Sequence, residues 1–146
     1  MRLSLATFAA AAALSIAFAA APALASEVKY QTVLSGQSET PPNDSKGTGT
    51  VDATYDTDTK TLTWSITYQD LSGDVTAAHF HGPAKAGDKA GPVVPIPDPL
   101  ASPISGSATL TDAQYDDLNK GLWYFNLHTA KFPDGELRGQ MQPMHP

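Results

Sequence analysis

Asp56-Thr57-Asp58-Thr59-Lys60-Thr61-Leu62-Thr63-Trp64-Ser65-Ile66-Thr67-Tyr68 passes from a polar turn into strict two-residue alternation. Leu62, Trp64, Ile66 and Tyr68 fall on one face of an extended chain, and Thr61, Thr63, Ser65 and Thr67 on the other. Helical spacing would scatter the two classes around a cylinder, whereas a strand's period of two separates them. Val51, Ala53 and Tyr55 alternate in the same way before the turn. The two runs read as a hairpin with one buried and one solvated face.

The same pattern extends outward in both directions. Upstream, Val28, Tyr30, Thr32 and Leu34 mark a first strand, and the Gly/Ser/Asn/Pro-rich segment from Gly36 to Gly49 reads as a surface loop. Downstream, Val75 to His81 continues the alternation until Gly82-Pro83 ends it, and proline-rich Ala84 to Pro103 reads as an irregular excursion around Val93, Val94 and Ile96. That excursion is a candidate lid or rim. Ile104 to Leu110 is a further strand. Thr111-Asp112-Ala113-Gln114 matches a capping box opening one short helix that ends near Gly121. Leu122 to Thr129 places Trp123, Phe125 and Leu127 opposite Tyr124, Asn126 and His128. Pro133-Asp134-Gly135 turns the chain into Glu136 to Gln142. About seven short strands with one helix indicate an all-β fold, an antiparallel Greek-key β-sandwich.

Met1 to Ala25 has one charge, Arg2, an Ala/Leu/Phe-rich run and the small-x-small ending Ala23-Leu24-Ala25, the pattern of a cleaved secretory signal. Cleavage leaves residues 26–146 as a single domain of about the commonest size, directed to a periplasmic or secreted location with no membrane segment. Without Arg2 the chain has 8 basic and 15 acidic residues, so its net charge of −7 excludes nucleic acid and anionic lipid as partners. The absence of cysteine excludes disulfides, thiolate metal sites and thiol nucleophiles. No nucleophile elbow or phosphate loop is present either.

One segment carries chemistry. His79 and His81 project from the same face of the Val75 to His81 strand, with Phe80 pointing the other way, and His128 stands on the polar face of another strand. Three neutral imidazoles suit copper, with zinc as the alternative, and copper binds more tightly in the divalent series. Met141, Met144 and His145 offer further soft ligands, or else Met141 packs in the core and the last residues belong to a frayed end. The histidines are also open to a plainer reading, as polar side chains bonded to backbone. Arg138, on the polar face of the last strand, is the candidate catalytic residue, ordering the ligands or attracting an anion. A surface salt bridge with Asp134 or Glu136 is its alternative.

His79-Phe80-His81-Gly82-Pro83-Ala84, Gly91-Pro92-Val93-Val94, Gly106 to Leu110, Leu118-x-x-Gly121-x-x-Tyr124-x-Asn126-x-His128-Thr129 and Phe132-Pro133-x-Gly135-Glu136-Leu137-Arg138-Gly139-Gln140 form an ordered set. With the early Leu34-x-Gly36-x-x-Glu39-x-Pro41-Pro42, it resembles the CHRD domain, first described in the developmental protein chordin and also found in bacterial secreted proteins. A second resemblance is to copper/zinc superoxide dismutases, Greek-key sandwiches with two copper ligands as His-x-His on a strand and another from a distant strand. By that analogy His79, His81 and His128 take the copper-ligand parts. The cysteines of a disulfide and a separate zinc set are missing. The resemblances imply an immunoglobulin-like or superoxide-dismutase-like sandwich. The function expected is an exported protein that binds one copper ion for copper handling or redox chemistry, with superoxide or a copper-carrying protein as its partner. The competing expectation is a metal-free extracytoplasmic protein-binding or structural module.

Overall fold

The computed structural model describes residues 26–144, so the secretory-signal reading of residues 1–25 and the fourth histidine, His145, lie outside the described residues. Nine strands, one helix and a 3-10 turn follow in the order β1 (Glu27–Ser35), the turn Gly36–Ser38, β2 (Thr48–Asp56), β3 (Thr61–Gln69), β4 (Val75–His81), β5 (Pro92–Pro95), β6 (Ile104–Thr109), α1 (Asp112–Asn119), β7 (Tyr124–Thr129), β8 (Leu137–Gln140) and β9 (Gln142–Pro143). Their hydrogen-bonded order is β5-β4-β7-β8-β1-β2-β3-β6, with β9 added to β1. All the pairings are antiparallel, and the chain crosses between halves after β3, β5, β6 and β8, the connections of a Greek-key sandwich.

The halves are unequal. β1, β2 and β3 pair residue for residue, from Glu27 opposite Asp56 to Ser35 opposite Thr48, and from Thr48 opposite Gln69 to Asp56 opposite Thr61. Asp56 closes the predicted hairpin by accepting at Oδ1 from the Asp58 and Thr59 amides at 2.8 and 2.9 Å. Lys60 completes the turn at φ 55°. The other half is shorter and irregular, with the register shifting between Val75 and Ala77 and again between Phe80 and His81. One residue pair, Ser35 opposite Arg138, joins β8 to β1 and nearly closes the sandwich.

Between the halves lies a core in which Leu34, Leu62, Ile66, Phe80, Phe125, Leu127 and Leu137 are all fully buried. Phe80 is its hub, meeting Trp64 edge-on at 5.4 Å between ring centroids and Phe125 at 4.9 Å. Burying one such side chain contributes about 1.5–3 kcal/mol. Because Phe80 points inward, period two turns both flanking histidines outward, so core packing sets the orientation of the pair. The predicted helix has its full capping box, with the Gln114 amide donating to Thr111 Oγ1 at 3.2 Å and the Thr111 amide to Gln114 Oε1 at 2.9 Å. Gly121, at φ +69°, follows it.

Two expectations change. Within Ala84 to Pro103 the chain orders into edge strand β5 on β4, where prolines are tolerated because one side of the strand needs no donors. The segment from Gly36 to Gly49 is more than surface: Gly36, Glu39 and Gly47 are buried, and Asn43 Nδ2 donates to the carbonyls of Gly135 and Glu136 at 3.1 and 3.0 Å. Of the two readings of the tail, core packing holds for Met141, while Met144 is exposed. The two methionines therefore face different surroundings.

Candidate metal centre

The outer face of β4, β7 and β8 is a grid of polar side chains. Register places Arg138, Asn126 and His79 in one row across the three strands, and Gln140, Tyr124 and His81 in the next. His128 stands opposite Ala77, diagonal to His79, where the small methyl leaves room for a second imidazole.

One ring nitrogen from each of His79, His81 and His128 lies within 4.8 Å of the others. His79 Nδ1 and His128 Nε2 are 3.3 Å apart. Bonds of about 2.0–2.1 Å to a metal hold ligand nitrogens no more than about 4.2 Å apart, so small ring rotations bring the set into bonding range. No other group of three histidine, cysteine or acidic side chains comes together among the described residues.

Backbone carbonyls set the tautomers. His81 Nδ1 donates to the Ala90 carbonyl at 2.9 Å, and His128 Nδ1 donates to the Pro133 carbonyl at 2.9 Å. A carbonyl can only accept, so Nδ1 carries a proton in both rings, and a neutral His81 keeps its lone pair on Nε2. His81 Nε2 is buried with no hydrogen-bond partner. Such an atom costs free energy unless something binds it. His128 Nε2 lies 3.1 Å from the Asn126 side-chain oxygen.

Burial lowers the His79 pKa, and the neighbouring His128 and His81 lower it further. Burial also lowers that of His81, against the opposing hydrogen bond to the Ala90 carbonyl. Both shifts favour the neutral ring, the form a metal requires.

Tyr124 supports the site from the side. Its ring lies parallel to His81, 4.7 Å between centroids and 3° between planes, and the Arg138 guanidinium stacks over the Tyr124 ring at 3.6 Å. The Tyr124 hydroxyl donates to the Ala90 carbonyl at 3.0 Å, so one carbonyl anchors both rings. Arg138 is buried, donating to the Asp88 carbonyl at 2.8 Å and to Thr40 Oγ1 at 3.3 Å in place of the surface salt bridge considered above. The structure thus brings the three histidines together and sets Arg138 one aromatic ring away from His81. Asn126, Tyr124 and the carbonyls of Ala90 and Pro133 had no assigned role in the sequence reading. The alternation Tyr124, Asn126, His128 opposite Trp123, Phe125, Leu127 was the available signal for the first two, and nothing local marks the carbonyls.

Beyond the histidines, Glu136 is a buried carboxylate held by hydroxyls. Ser45 Oγ, Ser72 Oγ and Thr129 Oγ1 donate to it at 2.7, 2.6 and 2.6 Å, and the Ser72 amide at 2.8 Å. Burial pushes its pKa up, but these hydrogen bonds prevail and hold it below the ordinary value. The carboxylate fastens the loops before β2 and after β3 to the sheet edge beside His128.

A family model described as CHRD domain matches residues 30–141, which run from within β1 to the end of β8 and include all three histidines. No curated protein and no solved structure matches the chain.

Proposed function

The chain belongs to the CHRD domain family, an extracellular-type module, and from that premise we propose that it is exported to the periplasm or beyond and holds one copper ion through His79, His81 and His128. Among the described residues no helix is long and apolar enough to cross a membrane. The observation that carries the reading is His81 Nε2, a buried lone pair without a partner, on a ring that has a nitrogen within 4.8 Å of a nitrogen of each of the two other histidines. Three imidazoles without thiolate or carboxylate suit copper, and zinc is second in the same donor set. Bound copper would supply one-electron chemistry at an open coordination position, for which superoxide dismutation is the sharpest case and copper handling the broader one.

The chain's own residues prepare the site for this. Ala90 and Pro133 keep the Nδ1 protons in place, as outer-shell carbonyls do for metal-bound histidines. Phe80, locked in the core, keeps His79 and His81 on one face. Arg138 acts on the histidines through the Tyr124 ring, bracing His81 and adding positive field.

The test is metal content and copper EPR of the mature chain purified from periplasm, followed by competition with a chelator in the native protein and in the triple His79→Ala, His81→Ala, His128→Ala variant. The expected result is one copper per chain, nitrogen hyperfine structure, and loss of both in the variant. Equal retention by the two proteins sinks the reading. A metal-free protein-binding or structural module is the second reading. It is favoured by His128, both of whose ring nitrogens already face protein acceptors, and the same competition decides for it if no ion is held.

A further inference from the structure

We propose that the cavity between the Gln37–Pro42 loop and the Ala86–Gly87 turn is a binding site for a small organic carboxylate, seated on the guanidinium of Arg138. The cavity measures about 400 Å³ and is lined by Gln37, Thr40, Pro42, Ala86, Arg138 and Gln140 among others. That volume is in the range of small-molecule sites and exceeds what a bare inorganic oxyanion fills. It lies on the far side of Tyr124 from His81, so it stands apart from the metal reading.

The charge of Arg138 motivates the assignment. Arg138 is 2% exposed, and buried charges in proteins are as a rule paired. Among the described residues the ion pairs are Lys60 with Asp112 and Lys120 with Asp116, and Arg138 is in neither. Its hydrogen-bond partners are a neutral hydroxyl and a carbonyl, with an aromatic face beneath it. A guanidinium carries more N–H donors than those two contacts consume, and Arg138 lines the cavity. Glu39 is the carboxylate of the cavity wall. Its Oε1 is turned toward Gly135, filling the space a Cβ there would need; burial raises its pKa against the lowering field of Arg138, and the two groups stand beyond ion-pair distance. A ligand carboxylate matches the planar fork of an arginine, and Pro42 and Ala86 offer apolar surface to an organic body.

The test is titration of the metal-free, chelator-treated protein with benzoate, succinate and inorganic phosphate, followed by amide and arginine side-chain NMR. The expected result is saturable shifts at Thr40, Gly87 and Arg138 with the two carboxylates and none with phosphate. Affinity should fall at least tenfold in Ala86→Leu, which fills the cavity while leaving the cation in place, and in Arg138→Gln. If Arg138→Gln does not fold, Ala86→Leu alone decides. The proposal is overturned by absence of saturable shifts, by unchanged binding in Ala86→Leu, or by phosphate binding as well as the carboxylates do. Because no metal is present, none of these outcomes bears on copper.

Discussion

The two halves of the sandwich share a core but use their second faces in opposite ways. On β2 and β3 the outer face is solvated: Thr63, Ser65 and Thr67 are exposed, and a hydroxyl pair, Thr50 and Thr67, meets at 2.9 Å on the surface. On β4, β7 and β8 the outer face is covered by loops and buries Asn126 and Arg138 at 4% and 2% exposure. A solvated face needs only alternation and tolerates any polar residue. A covered polar face must satisfy every donor and acceptor, which forces specific partners and leaves an unpartnered atom such as His81 Nε2 conspicuous. The chemistry therefore lies where the sheet is covered on both sides.

The sharpest blow to both halves together is Phe80→Ala. Emptying the hub of the shared core should cost about 3–5 kcal/mol, read from urea unfolding. A smaller loss would mean that the halves are less dependent on this ring than its contacts with Trp64 and Phe125 indicate. Next, copper at about a hundred times its dissociation constant should stabilise the native chain by about 2.7 kcal/mol, with added hydrogen-exchange protection in β4 and β7 ahead of β2 and β3. In His128→Ala the gain should vanish. Uniform protection across both halves would erase the proposed distinction.

Glu136→Gln tests the buried polar layer. At neutral pH it should lose about 1–3 kcal/mol, because an amide replaces an acceptor for four hydrogen bonds. The folded pKa is depressed, so the native contribution is present above the ordinary carboxylate value and is lost as pH falls through the lowered one. The stability curves of native protein and variant should converge in acid, and parallel curves would deny the carboxylate this role. Tyr124→Phe removes one hydroxyl from Ala90 and should cost about 1 kcal/mol while loosening His81, seen as broadened ring resonances. The smallest effect belongs to the solvated face, where Thr63→Ala should stay within about 0.5 kcal/mol.

How far the sequence could be read differed between the halves for the same reason. The hairpin of β2 and β3, the capping box at Thr111 and the same-side projection of His79 and His81 follow from local geometry, and all are present. The convergence of His128 on that pair was an expectation from strand pattern and resemblance, and it required β7 to lie directly beside β4. Edge strand β5 was hidden by its prolines. The burial of Arg138 was hidden because β8 looks amphipathic, and what covers it, Thr40 and Asp88, lies 98 and 50 residues away.

By itself the sequence determined which side of each strand a side chain takes, since a period of two is built into the extended backbone and needs no partner. It thereby put two histidines on one face and Phe80 on the other. Only the tertiary structure decided that this face would be covered, that Ala90 and Pro133 would fix the imidazole protons, and that Arg138 would sit on Tyr124 beside a cavity. Those outcomes depend on loops brought together by strand order, and a hydrogen bond between distant segments leaves no periodic trace in the chain.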